Sequence, residues 1–241
     1  RSGGKNYVAT ADVPVWGLKK LPVLDFFRTV DLSAHVNLDI EFLFEQEYHS
    51  PRPASCSYMV GVNGYSAWCG FGRTPTLNAL YFARRVDECR RFVTQQGIPF
   101  HSPNWKSDNA VLVSQWDNFP TSVRIPVGKK KCRRMYFLIA GSCQPMSSQM
   151  DNAVLRVRFA DGTEQVLFVN NPRNYWPIWG DFDVQADAFC LPDVPPQRVL
   201  IGNNTWANLL DMEVPNKPIA SVEFECLVNE IVVGLLGITM C

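Results

Sequence analysis

The sequence predicts an all-β protein, an antiparallel β-sandwich or jelly roll of the galactose-binding type, with a second β layer or small unit on its N-terminal side. Three observations predict it. Short apolar-alternating runs recur along the chain, turn residues separate them, and helical periodicity is nearly absent. The composition suits a packed domain: 241 residues are 46% apolar and 19% charged, so disorder over most of the chain is not expected. The 23 basic and 23 acidic side chains balance, which leaves no overall field to draw the chain to nucleic acid or an anionic membrane. It opens on Arg1, as expected of a trimmed or cleaved chain.

The first strand signal is the stretch from Asn37 to Tyr48, whose first half alternates apolar and acidic residues and ends at Ser50-Pro51-Arg52-Pro53. Cys56 to Val62 follows, closed by the turn dipeptide Asn63-Gly64, with Tyr65 to Trp68 as its return. Leu77 to Val93 fits both a helical stripe and a strand, with periodicity alone leaning to a helix, and Gly97 ends it. A boundary is therefore set there. Residues 1–97 form a β-rich segment, the end of or bridge from a preceding domain, and residues 98–241 form the jelly roll.

After the boundary, strands are expected at Ala110 to Ser114, Ser122 to Val127, Met135 to Ala140, Ala153 to Phe159 and Gln165 to Val169. The basic run from Gly128 to Arg134 reads as the loop between two of them, a solvated hairpin tip. Asp161-Gly162 predicts a hairpin turn, and the alternating Arg156 and Arg158 predict a wet outer face. Leu209 to Val214, Ser221 to Val228 and Ile231 to Met240 close the set. The last of these belongs to an apolar run too short to span a bilayer, so no membrane span is expected. The aromatic and proline-rich segment from Asn170 to Arg198 reads as an ordered excursion over one face.

The eight cysteines include no Cys-x-x-Cys pair and none near a histidine, which speaks against structural zinc and predicts mostly buried free thiols. The three histidines, His35, His49 and His101, stand apart in sequence, and no nucleophile elbow, metalloprotease helix or phosphate loop occurs. Two loops carry more. Trp116-Asp117-Asn118-Phe119-Pro120 and Asn174 to Asp181 set aromatics among amides and carboxylates. A flat ring covers the apolar face of a sugar while polar neighbours bond its hydroxyls. Trp116, Asn118, Tyr175, Trp176 and Trp179 are thus the candidate ligand-binding residues, and Trp105 and Trp206 lie in similar settings. Large aromatics equally plug sandwich ends. Asp117, Asp181 and Asp183, with Asp187, are the carboxylates open to three roles: a glycosidase acid–base pair, a calcium site or turn caps. No organic cofactor is called for.

The segments Ser50-Pro51-Arg52-Pro53, Gly97-Ile98-Pro99-Phe100, Gln115 to Pro120, Leu138-Ile139-Ala140-Gly141-Ser142, Phe159 to Thr163 and Asn171 to Asp183 together resemble a Bacteroidetes family of domains of unknown function. That family occurs in large secreted proteins encoded among polysaccharide-degrading enzymes. The likeness runs from about residue 50 to the end, and the Trp-Asp-Asn-Phe-Pro and Tyr-Trp-Pro segments carry it most specifically. It implies a periplasmic or extracellular setting and a carbohydrate role, and brings no catalytic residues with it. The expected function is a carbohydrate-associated module of a larger protein that binds glycan or braces a catalytic domain. The alternatives are a glycoside hydrolase fragment and a structural module between domains, its partner a missing part of the same polypeptide.

Overall fold

The computed structural model describes residues 27–45, 76–77, 91–101, 107–115, 117–142, 149–178, 196–229 and 231–241. In chain order the strands are β1 (Arg28–Val30), β2 (Thr76–Leu77), β3 (Arg91–Val93), β4 (Pro99–His101), β5 (Val111–Ser114), β6 (Ser122–Lys130), β7 (Arg134–Gly141), β8 (Met150–Phe159), β9 (Glu164–Asn171), β10 (Arg198–Asn203), β11 (Thr205–Glu213), β12 (Ile219–Cys226) and β13 (Val232–Met240). A 3-10 helix covers Ile40–Glu45. Among the described residues no helix is long and apolar enough to cross a membrane.

The fold is all-β and every strand pair is antiparallel. The larger sheet runs β13-β7-β11-β10-β2, with β1 and β5 sharing the other side of β13, and the smaller runs β6-β12-β8-β9. Counting β5 to β9 and β11 to β13 as strands one to eight, the two sheets read 1-8-3-6 and 2-7-4-5. That order is a jelly roll, and β10 is an added strand that forms a hairpin with β11.

Alternation builds the smaller sheet. Leu155 and Val157 on β8 and Val222 and Phe224 on β12 are wholly buried and meet Phe137, Ile139, Leu235 and Ile238 from the larger sheet. Their neighbours face outward as a charge ladder. Arg124 and Arg158 both bond Glu223, at 3.1 and 2.9 Å, Arg158 also reaches Glu164 at 3.2 Å, and Arg156 pairs with Glu225. The turn at Asp161-Gly162 is formed as expected: Gly162 takes φ +84°, and Asp161 accepts bonds from the Thr163 backbone and hydroxyl.

The larger sheet is buried on both faces, which explains why all nine residues of β13 are buried and why its sequence lacks alternation. Its second face holds Tyr136, Leu138, Leu209, Val199 and Ile201 under a cover of Ile40, Leu43, Phe92, Phe100, Phe119 and Ile178. The molecule is thus a sandwich with a third, irregular layer.

Several local expectations change. The expected strand from Asn37 becomes the 3-10 helix, because Asp39 turns the chain: its Oδ1 accepts from Glu41 N and its carbonyl from Phe42 N. Ile40 and Leu43 then point inward at a spacing of three while Phe42 is exposed. The ambiguous stretch begins in β2 and ends in β3, and residues 78–90, like the expected hairpin at 56–68, lie outside the described residues. Strand β6 continues through a bulge to Lys130, so the basic loop is shorter than expected. Cys132, Cys226 and Cys241 are free thiols, and the first two are buried.

Candidate functional site

The jelly roll decides which loops meet. β5, β7, β9 and β12 run toward one end of the sandwich, so the connections that follow them, 115–121, 142–149, 172–197 and 227–231, all leave the sheets at that end. Both loops singled out in the sequence emerge at this end. The exposed cations Lys129, Lys130, Lys131 and Arg133 lie at the other, where Arg133 N donates to Cys241 O at 2.7 Å.

At the loop end β7 and β11 separate. Their ladder pairs Ile139 with Asn208 and stops there. The next rung would join Gly141 to Trp206, and Ile178 occupies it instead: its N–H donates to Gly141 O at 2.8 Å and its carbonyl accepts from Trp206 N at 2.7 Å. The segment from Tyr175 to Ile178 therefore passes through a fork in the larger sheet. Tyr175 lies in the core between the sheets, and Ile178 lies in the core on the far face.

Trp176 sits in the fork, half-buried, with its backbone clamped. Buried Asn208 accepts from Trp176 N at 2.9 Å and donates to Trp176 O at 2.9 Å and to Ile139 O at 3.2 Å. Arg198 donates to Asn208 Oδ1, Trp176 O and Pro177 O. These bonds hold the backbone of Trp176 and Pro177 where the chain passes the sheet. Asn208, Arg198 and Ser142 are absent from the candidate ligand-binding residues of the sequence, because their partners are remote in sequence.

The predicted residues divide. Trp116, Trp179, Asp181, Asp183 and Asp187 lie outside the described residues, as does Trp105. Asp117 is exposed, Asn118 is half-buried, and Phe119 between the loop and the second core is buried. Trp176 and Trp206 are half-buried. Tyr175 requires a correction: it is fully buried, and its hydroxyl donates to Ser142 O at 2.7 Å. A ring with no exposed face cannot stack on a ligand, so Tyr175 fastens the loop to the core. Among the described residues no three His, Cys, Asp or Glu side chains converge to hold a metal ion.

No family model matches the chain, and neither the curated proteins nor the solved structures include one that matches it.

Proposed function

We propose that this chain is a carbohydrate-associated β-sandwich module of a larger, exported polysaccharide-degrading protein, binding glycan at the loop end or bracing a catalytic domain. The observation that carries the reading is that residues 117–120 and 174–178 emerge at one end of the sandwich, with Trp176 held half-exposed on a rigid clamp. Asp117 and Asn118 supply polar neighbours at that end. Lys129, Lys130, Lys131 and Arg133 stand at the opposite end, and Arg173 is exposed at the loop end. The resemblance described above adds the setting and the substrate class.

A glycan array followed by calorimetric titration of the best hit tests this. Trp176→Ala and Trp116→Ala are expected to weaken binding by on the order of 1–3 kcal/mol, the value of a large apolar contact. Unchanged affinity in both folded variants assigns these rings to packing. Hydrolysis of the glycan that is abolished by Asp117→Asn replaces the module reading with a glycosidase.

A further inference from the structure

One edge of β13 is divided between two strands. β5 pairs with Val232 to Leu235 and β1 with Ile238 to Met240. Leu236 falls between them, next to the irregularity that shifts the β13–β7 register between Leu235 and Gly237. The sheet edge is therefore notched, and a cleft of about 150 Å³ opens over the notch.

Its lining is of two kinds. Leu236, Val30, Leu32 and Val36 supply an apolar part, and Ser33, His101, Ser107 and Asp108 a polar one. The volume matches a cavity that accepts one six-membered ring. An aromatic hydrocarbon would leave the polar part without partners. A pyranose has both surfaces, C–H faces for the aliphatic side chains and equatorial hydroxyls for the polar ones.

The polar groups are held in place. Ser33 donates from its backbone N at 2.9 Å and from Oγ at 2.5 Å to Asp31 Oδ1. His101, fixed on β4 opposite Arg91, brings Nε2 to 3.7 Å from the same oxygen. Asn109 at the back of the cleft is clamped as well: its Oδ1 accepts from Ile40 N at 3.0 Å and its Nδ2 donates to Asp39 at 2.8 Å. Charge then restricts the ligand. Asp108 lines the cleft and the exposed Asp31 lies beside Ser33 and His101, so an acidic sugar meets two carboxylates.

We infer that the notch in β13 binds one neutral pyranose unit, a sugar contact separate from the loop end and independent of it. Affinity for a single ring is expected in the millimolar range.

The test is a titration of the whole chain, followed by amide chemical shifts, with the methyl glycosides of glucose, galactose and mannose and with methyl glucuronide. The expected result is saturable shifts at Ser33, His101, Ser107 and Leu236 with at least one neutral glycoside, and weaker binding of the glucuronide. His101→Ala and Asp108→Ala, both at accessible positions, should each weaken that binding about fivefold, the loss expected for one hydrogen bond. Trp176→Ala should leave these shifts unchanged, which separates the cleft from the loop end. Ser33→Ala serves as the alternative variant if either of the first two lowers the melting temperature. No cleft shifts at about 100 mM of any neutral glycoside, some hundredfold above a millimolar Kd, overturns the assignment. So do equal or tighter binding of the glucuronide, and unchanged affinity in folded variants.

Discussion

Two adjacent aromatics show how differently the same residue type is used. Tyr175 and Trp176 share one loop, yet the first is core and the second is half-exposed. Both were legible in the sequence as large aromatics in a polar loop. Which of them faces inward was not, because Ser142 and Asn208, their partners, lie 33 and 32 residues away. Tyr175→Phe keeps the ring and removes the donor to a buried carbonyl, so it should cost about 1–2 kcal/mol in urea unfolding without changing glycan affinity. The thiols give a second expectation. Burial pushes Cys132 and Cys226 up to about 11, and Tyr136 up to about 12. Native alkylation at pH 8 followed by peptide mapping should therefore spare Cys132 and Cys226 and label both after unfolding. Linkage fixes the sign of the pH effect. Folded values above the unfolded ones, 9.0 for the thiols and 10.0 for the tyrosine, favour the neutral forms. Stability is full below about pH 9 and should fall between roughly pH 9 and 12, by up to about 1.4 kcal/mol per pH unit for each group. Alkaline denaturation curves measure it.

Strands that alternate were read directly, and those whose surroundings override alternation were not. β8, β9 and β12 announce themselves because one face is wet, and the turn at Asp161-Gly162 sets the register of the first two. β1, β3 and β4 have three residues each and carry too few positions to show a period. The 3-10 segment alternates through Ile40, and only its contacts with Asn109 and Asp39 reveal the turn that follows. The wet face itself contributes modestly. Burial raises the Glu223 carboxyl, but bonds from Arg158 and Arg124 outweigh it and hold the group below its ordinary 4.5. A depressed folded value stabilises above the unfolded one and is lost as pH falls below about 4.5. Glu223→Gln should thus cost about 1 kcal/mol at pH 7 and close to nothing at about pH 2, by denaturant midpoints at the two pH values. Gly141→Ala should be far more severe. Its methyl would run into Val232 O and reach 2.8 Å from the Tyr175 hydroxyl. Backbone on one side and a bonded hydroxyl on the other cannot both yield, so about 3 kcal/mol or more is expected in thermal melts.

Taken whole, the chain forms a jelly roll whose larger sheet is covered twice, and the class of fold was legible where the third layer was not. The cover is assembled from Ile40, Leu43, Phe92, Phe100, Phe119 and Ile178, which come from four separate stretches of sequence. The excursion expected to lie over one face begins instead by passing through a sheet, which no local pattern encodes. That passage ties the loop's motions to those of the whole protein. Ordinary loops open by themselves, and their amides exchange with solvent at little cost. Ile178 N–H cannot be released without parting it from Gly141, and the Trp206 amide cannot be released without withdrawing the same residue. Both amides should therefore exchange with deuterium as slowly as those at the centre of β7, although one of them belongs to a connection and not to a strand. A ligand that touches Trp176 would meet a backbone already fixed by the sheet, with little entropy left to lose on contact.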